Sequence, residues 1–196
     1  MESLSYQLEA LQTTVAKFRD QLPAVEATGK KLAAVLAGGG RILTCGNGGS
    51  ACDALHLSEE LVGRFDQNRR SLAAICLSAD APLLTCIAND FGYDSVFARQ
   101  VEGLGRTGDA LIVFSTSGNS ANLVTALQAA RQNGLATVSL LGKDGGKCRG
   151  LADHEIIVPS FTTARIQEVH TFILHAWLGL IEGELGLSQP PRAALR

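Results

Sequence analysis

Five short apolar runs punctuate the chain from residue 41 onward, near 41–45, 72–77, 110–115, 135–141 and 154–158. Turn residues bound each run, as in strands covered on both faces. Helix-like stretches separate most of them, at about 50–63, 81–104 with a break near Gly92, and 119–133. A long last helix covers about 163–186, with Ile166, Val169, Phe172, Ile173, Ala176, Trp177, Leu180 and Ile181 as its apolar side. Alternation of strand and helix leaves few folds open, because crossover helices must cover both faces of a parallel sheet. The chain is therefore read as α/β, a three-layer sandwich around a parallel sheet. Its 196 residues suffice for one domain with a full core.

A helical pair precedes the first strand. Leu4, Leu8, Leu11, Val15, Phe18 and Leu22 alternate spacings of four and three, an a/d-like seam on a first helix. Pro23 restarts the chain at a first helical position, and Gly38-Gly-Gly40 ends the second helix after about Ala37. The seam packs either on its own domain or on another subunit. The organisation expected is a helical pair over 1–38, a main domain over 39–186 and a mobile tail over 187–196.

Two of the strand-to-helix junctions are rich in glycine and hydroxyl residues. Gly46-Asn-Gly-Gly-Ser50 follows the first run, and Ser115-Thr-Ser-Gly-Asn-Ser120 follows the third. A helix N-terminus presents unpaired N–H groups and partial positive charge, so it attracts anions. Small residues let a ligand reach the backbone, and hydroxyls add donors. Two such loops in one domain point to a bound phosphate. Residues 46–51 also fit G-x-G-x-x-A, but a dinucleotide site wants an acidic residue about 20 positions on. The nearest, Asp80, is too distant.

Downstream of each loop lie groups that could do chemistry. His56 and Glu60 are four apart on the helix after the first loop, with Cβ atoms about 5–6 Å apart. Imidazole and carboxylate together can hold a divalent metal or divide acid and base work; the plain alternative is an ordinary i,i+4 hydrogen bond. Glu59 points about 100° away and takes no role. On the last helix Gln167 and His175 share a face but are separated by about 12 Å of rise, so they line one pocket without both reaching one ion, or the site draws on two subunits. His170 lies on another side and is structural or exposed.

Other classes are disfavoured. A balance of 17 basic and 19 acidic residues argues against a nucleic-acid surface. The one basic cluster, Arg64, Arg69 and Arg70, reads as a solvated loop. Five cysteines without a CxxC pair suggest reduced thiols in a cytoplasmic protein rather than a zinc ribbon or redox motif. The N-terminal residues do not read as a signal peptide, and no apolar run approaches the ~20 residues of a membrane span.

Taken together, Cys45-Gly-Asn-Gly-Gly-Ser50, the helix bearing His56, Glu59 and Glu60, Asn89-Asp-Phe-Gly92, Ser115-Thr-Ser-Gly-Asn-Ser-Ala-Asn122 and Ala164-Arg-Ile-Gln-Glu-Val-His170 resemble the phosphoheptose isomerases of the sugar isomerase (SIS) family. The resemblance runs from about residue 40 to 182. It implies a five-stranded, flavodoxin-like parallel sheet and a homotetramer with active sites at subunit contacts. It implies conversion of sedoheptulose 7-phosphate to D-glycero-D-manno-heptose 7-phosphate, toward bacterial surface polysaccharide. By position, Asn47, Gly48, Gly49, Asn89 and Asp90 would contact substrate, and Ser115, Thr116, Ser117 and Ser120 would hold its phosphate. His56, Glu60, Gln167 and His175 match the family's zinc ligands, with Glu60, Gln167 and the substrate also in contact. Glu60 and His175 match its catalytic pair.

The residue types suit a ketose-to-aldose shift through an enediol, in which a carboxylate carries the carbon-bound proton and an imidazole serves the oxygens. Three rival readings exist: a non-catalytic relative resembling replication-initiator-associating proteins, a phosphosugar sensor, and an NAD-dependent enzyme. Glu60 and His175, which a pure binding module does not need, favour the enzyme.

Overall fold

The computed structural model describes residues 3–187. Helices α1 (Leu4–Phe18) and α2 (Leu22–Ala37) lead into β1 (Ile42–Gly46), α3 (Gly49–Val62), β2 (Ala74–Cys76), α4 (Ala81–Phe91), α5 (Ala98–Leu104), β3 (Ala110–Ser115), α6 (Ala121–Gln132), β4 (Ala136–Gly142), β5 (His154–Val158) and α7 (Thr163–Glu184). All strand pairs are parallel, in the order β2-β1-β3-β4-β5. This is the flavodoxin-like order, and its topological switch point lies between β1 and β3. Gly46 pairs with Phe114 across that junction, so the loops after β1 and β3 leave the same edge of the sheet side by side.

Each strand splits its residues between two apolar layers, as a period of two requires. Ile42, Ile112, Phe114, Val138, Leu140 and Ile156 face the layer of α2, α3 and α7. Leu43, Cys45, Leu111, Val113 and Leu141 face that of α4, α5 and α6. Full burial of one such leucine contributes about 2–3 kcal/mol. Thr44 is the polar exception on the first face, and it is satisfied: its hydroxyl bonds the Ala54 carbonyl and Ser58 Oγ, both at 2.8 Å.

Three expectations are corrected, and the α1 seam, left open, is seen in place. The first helix ends at Phe18, and a short 3-10 turn over Arg19–Gln21 precedes α2, which keeps Pro23 in its first turn. The leucine seam of α1 divides: Phe18 is buried in the core and Leu11 is half-buried, while Leu4, Leu8 and Val15 are exposed. On α7 the buried stripe is Ile166, Val169, His170, Ile173, Leu174, Trp177, Leu178 and Ile181, so Phe172 is on the outer flank and exposed. That stripe is set by α7 packing on both α2 and the sheet; Trp177 Nε1 donates to the Val25 carbonyl at 2.9 Å. Arg69, read as part of a solvated cluster, is buried, because a carboxylate and backbone carbonyls await it in the interior.

The break at Gly92 has a clear cause: φ +83 and ψ 155 suit glycine alone. Leu187 is tied by its N–H to the Glu182 carbonyl at 2.8 Å; the rest of the expected tail, 188–196, lies outside the described residues. Among the described residues no helix is long and apolar enough to cross a membrane. The five cysteines are free, with Cys45, Cys76 and Cys148 buried and Cys52 and Cys86 exposed.

Candidate active site

The two loops enclose a pocket of about 180 Å³ at the switch point, lined by Asn47, Ser50, Ser115, Thr116, Ser117 and Ser120 above Phe114 and Leu123. Neither α3 nor α6 has a side-chain cap at its N-terminus, whereas Asp80 caps α4 by accepting from Leu83 N at 3.0 Å. Asp80 is thus a helix cap rather than a ribose ligand. Ser115 Oγ accepts from Gly118 N at 3.0 Å and Ser117 Oγ from Asn119 N at 3.2 Å. Each hydroxyl therefore keeps its own proton to donate. Gly118, at φ +63, lies against the Gly145 carbonyl, and Cys148 N donates to Gly118 O at 2.8 Å. The segment after β4 thus braces the hydroxyl loop.

Asn47 locks the loops together. Its amide pairs reciprocally with that of buried Asn122, Nδ2 to Oδ1 at 3.0 Å and the return bond at 2.9 Å, and Tyr93 OH donates to Asn47 Oδ1 at 3.1 Å. One Asn47 N–H remains for the pocket. Asn89 and Asp90 are not brought to this group. They sit exposed at the end of α4, bonded to each other at 2.7 Å, while Tyr93 ties the next turn to Asn47.

Helices α3 and α7 both start from the carboxyl edge of the sheet and lie in register, with three levels of contact. At the first, the Gln167 carboxamide abuts Gly49, where an added Cβ would meet Nε2 at 2.2 Å. At the second, Thr171 Oγ1 donates to Asp53 Oδ1 at 3.1 Å. At the third, the rings of His56 and His175 meet edge-to-face, centroids 5.0 Å apart. Phe65 stacks on the His175 ring, centroids 5.7 Å apart. His56 Nε2 is 3.6 Å from Glu60 Oε1, with side chains a third and a fifth exposed. The structure thus gathers His56, Glu60 and His175, and places Gln167 two turns of α3 earlier.

The donor set suits a divalent cation. Ligand atoms of His56, Glu59 and Glu60 all lie within 4.8 Å of one another, and imidazole with carboxylate is an ordinary zinc environment. Glu59, given no role from the sequence, belongs to this group by distance and is exposed. Asp53 was not singled out from sequence. It is buried, its Oδ2 has no partner, and burial raises its pKa against the lowering effects of Thr171 and His56. Nothing local marks it, since an aspartate inside a helix reads as a surface residue. His170 is structural: fully buried, it has its Nε2 3.1 Å from the Leu141 carbonyl, and burial lowers its pKa to about 4.

Residues 6–142 match the SIS domain family. The chain is 53% identical over 162 residues to phosphoheptose isomerase of Vibrio vulnificus, covering 82% of this chain and 84% of that protein. The chain belongs to the phosphoheptose isomerase family. Solved structures agree. A phosphoheptose isomerase from Francisella tularensis superposes with a TM-score of 0.88 at 34% identity, over 93% of this chain and all of that one. The Neisseria gonorrhoeae phosphoheptose isomerase gives 0.81 at 40% identity, over 91% and 94%. Family membership disfavours the replication-associated, sensor and NAD-dependent readings.

Proposed function

We propose that this chain is an isomerase converting sedoheptulose 7-phosphate to D-glycero-D-manno-heptose 7-phosphate, a precursor of bacterial surface polysaccharide, in the cytoplasm. The observation that supports the reading is the α3–α7 register, in which the His175 ring meets that of His56 at 5.0 Å and His56 Nε2 lies 3.6 Å from Glu60 Oε1. The phosphate is held by Ser115, Thr116, Ser117 and Ser120 and the N-termini of α3 and α6. Asn47, Gly48 and Gly49 face the sugar, with Gln167 against Gly49. From Gly49 to His56 the helix rises about 10 Å, the same order as a seven-carbon chain built of ~1.5 Å bonds in zigzag.

Glu60 takes the proton from C1 and returns it to C2. His175 moves the balancing proton from the C1 hydroxyl to the C2 oxygen, so the ketone becomes a hydroxyl and C1 an aldehyde. His56, Glu60 and His175 would hold a zinc ion, while Gln167, two turns away against Gly49, would contact the substrate. Zinc, when bound, polarises the carbonyl and stabilises the enediolate. The exposed seam of α1, Leu4, Leu8 and Val15, supports assembly into a homo-oligomer, a tetramer in this reading.

The test is aldose formation from sedoheptulose 7-phosphate by purified protein, with and without chelator. Glu60→Gln and His175→Ala proteins of unchanged melting temperature are expected to lose about a hundredfold or more in kcat. Normal turnover in either would refute the assignment, and full activity after rigorous chelation would remove zinc from it.

A further inference from the structure

The segment leaving α3 folds back over the helix end before it enters β2, and it carries one cation withdrawn from water. The side chains of Arg69 and Glu182 are 1% and 2% exposed, and Nε meets Oε1 at 2.7 Å. The other guanidinium nitrogens bond backbone carbonyls. Nη2 donates to Glu60 O at 2.7 Å, and Nη1 to Leu61 O at 2.8 Å, Arg70 O at 3.1 Å and Gly63 O at 3.3 Å. The last carbonyls of a helix have no partner within it and carry the negative end of its dipole. Arg69 therefore holds the C-terminus of α3, and Glu182 of α7 holds Arg69.

Both ends of this clasp reach the reacting pair. One of the carbonyls it grips is that of Glu60 itself. Glu182 follows His175 by seven residues, two turns along the same side of α7. Phe65, from the same segment, stacks on the His175 ring at an interplanar angle of 20°. The layer below already holds a large apolar core, and a buried ion pair is usually no more stabilising than well-packed apolar residues of similar volume. What an apolar pair cannot supply is direction: the planar five-donor fork of arginine fixes each acceptor it engages.

We propose that Arg69 and Glu182 are positioning residues for the isomerase reaction. They fix the main chain of Glu60 at a set height against His175, so that carboxylate and imidazole keep their separation when substrate enters. This rests on the reading of Glu60 and His175 as the proton-transfer pair.

Two variants test it. Arg69→Lys keeps the charge but replaces the fork with a single nitrogen. The double variant Arg69→Met with Glu182→Met removes both charges and keeps apolar volume, so it stays folded where a single truncation would strand a buried charge. A third variant, Val101→Ala, opens a cavity in the opposite layer, where Val101 is fully buried, and lowers the melting temperature without touching the site. Melting temperature, kcat and KM for sedoheptulose 7-phosphate are measured for each. Both Arg69 variants are expected to lose about tenfold or more in kcat, because small misplacements of a catalytic group are costly. Their KM should stay within about threefold, and Val101→Ala should keep the wild-type kcat. A kcat within about twofold of wild type in either folded variant would overturn the proposal. So would an equal kcat loss in Val101→Ala at the same melting temperature. Failure of both Arg69 variants to fold would make the pair a fold determinant and overturn it too. Wild-type protein without isomerase activity would instead defeat the functional reading, before any variant is made.

Discussion

Replacing Gly49 with alanine should separate stability from activity at this site. Gly49 opens α3, and the three atoms nearest its added Cβ belong to Gln167: Nε2 at 2.2 Å, Cδ at 3.1 Å and Oε1 at 3.2 Å. None of these three nearest atoms is backbone, so the fold can absorb the methyl by turning one flexible side chain. Alanine in a helix gains up to about 1 kcal/mol over glycine, and an altered rotamer costs about the same. Net stability should change by less than about 1 kcal/mol, a melting shift under about 4 °C for a chain of this size. To reach ordinary contact the carboxamide must move by more than about 1 Å, a displacement that can cost about a hundredfold in rate, or about 2.7 kcal/mol of transition-state stabilisation. The assay is thermal melting beside kcat/KM for Gly49→Ala, Gln167→Ala and the double variant. If the effect runs through Gln167, the double variant is no worse than Gln167→Ala alone. A Gly49→Ala enzyme within twofold of wild type, or losses that simply add, would refute the reasoning.

Gly118→Ala is the contrasting case, because its Cβ would fall 1.9 Å from the Gly145 carbonyl oxygen at φ +63. Rigid backbone cannot turn aside, so a loss of about 3 kcal/mol or more is expected; an unchanged melting curve would contradict it. His170 predicts the pH dependence of stability. Burial lowers its pKa from 6.5 to about 4, so between those values the unfolded chain binds more protons and stability falls as pH drops, with no further gain above pH 6.5. From pH 7.5 to 5 the loss amounts to about 2 kcal/mol, opposed by Asp53, whose raised pKa acts in the other sense. Urea unfolding of wild type and His170→Phe should diverge across this window, and parallel pH profiles would disprove the assignment.

The sequence by itself determined the five strands, the helices between them and the two phosphate-type loops. Those features are local. A period of two or 3.6 and a glycine or hydroxyl at a junction act on neighbouring residues through backbone geometry, so they can be read along the chain. Tertiary structure alone decided that Gly49, Asp53 and His56 would stand opposite Gln167, Thr171 and His175, because the register of two helices far apart in sequence is set by packing. It likewise turned Arg69 from an expected solvated side chain into a buried one, since its partner Glu182 lies 113 residues away. The α1 seam shows the converse: its periodicity is plain in the sequence, yet only its Phe18 end enters the core, while Leu4, Leu8 and Val15 stay exposed. Periodicity says that a face is apolar, and only the assembled neighbours decide what it meets.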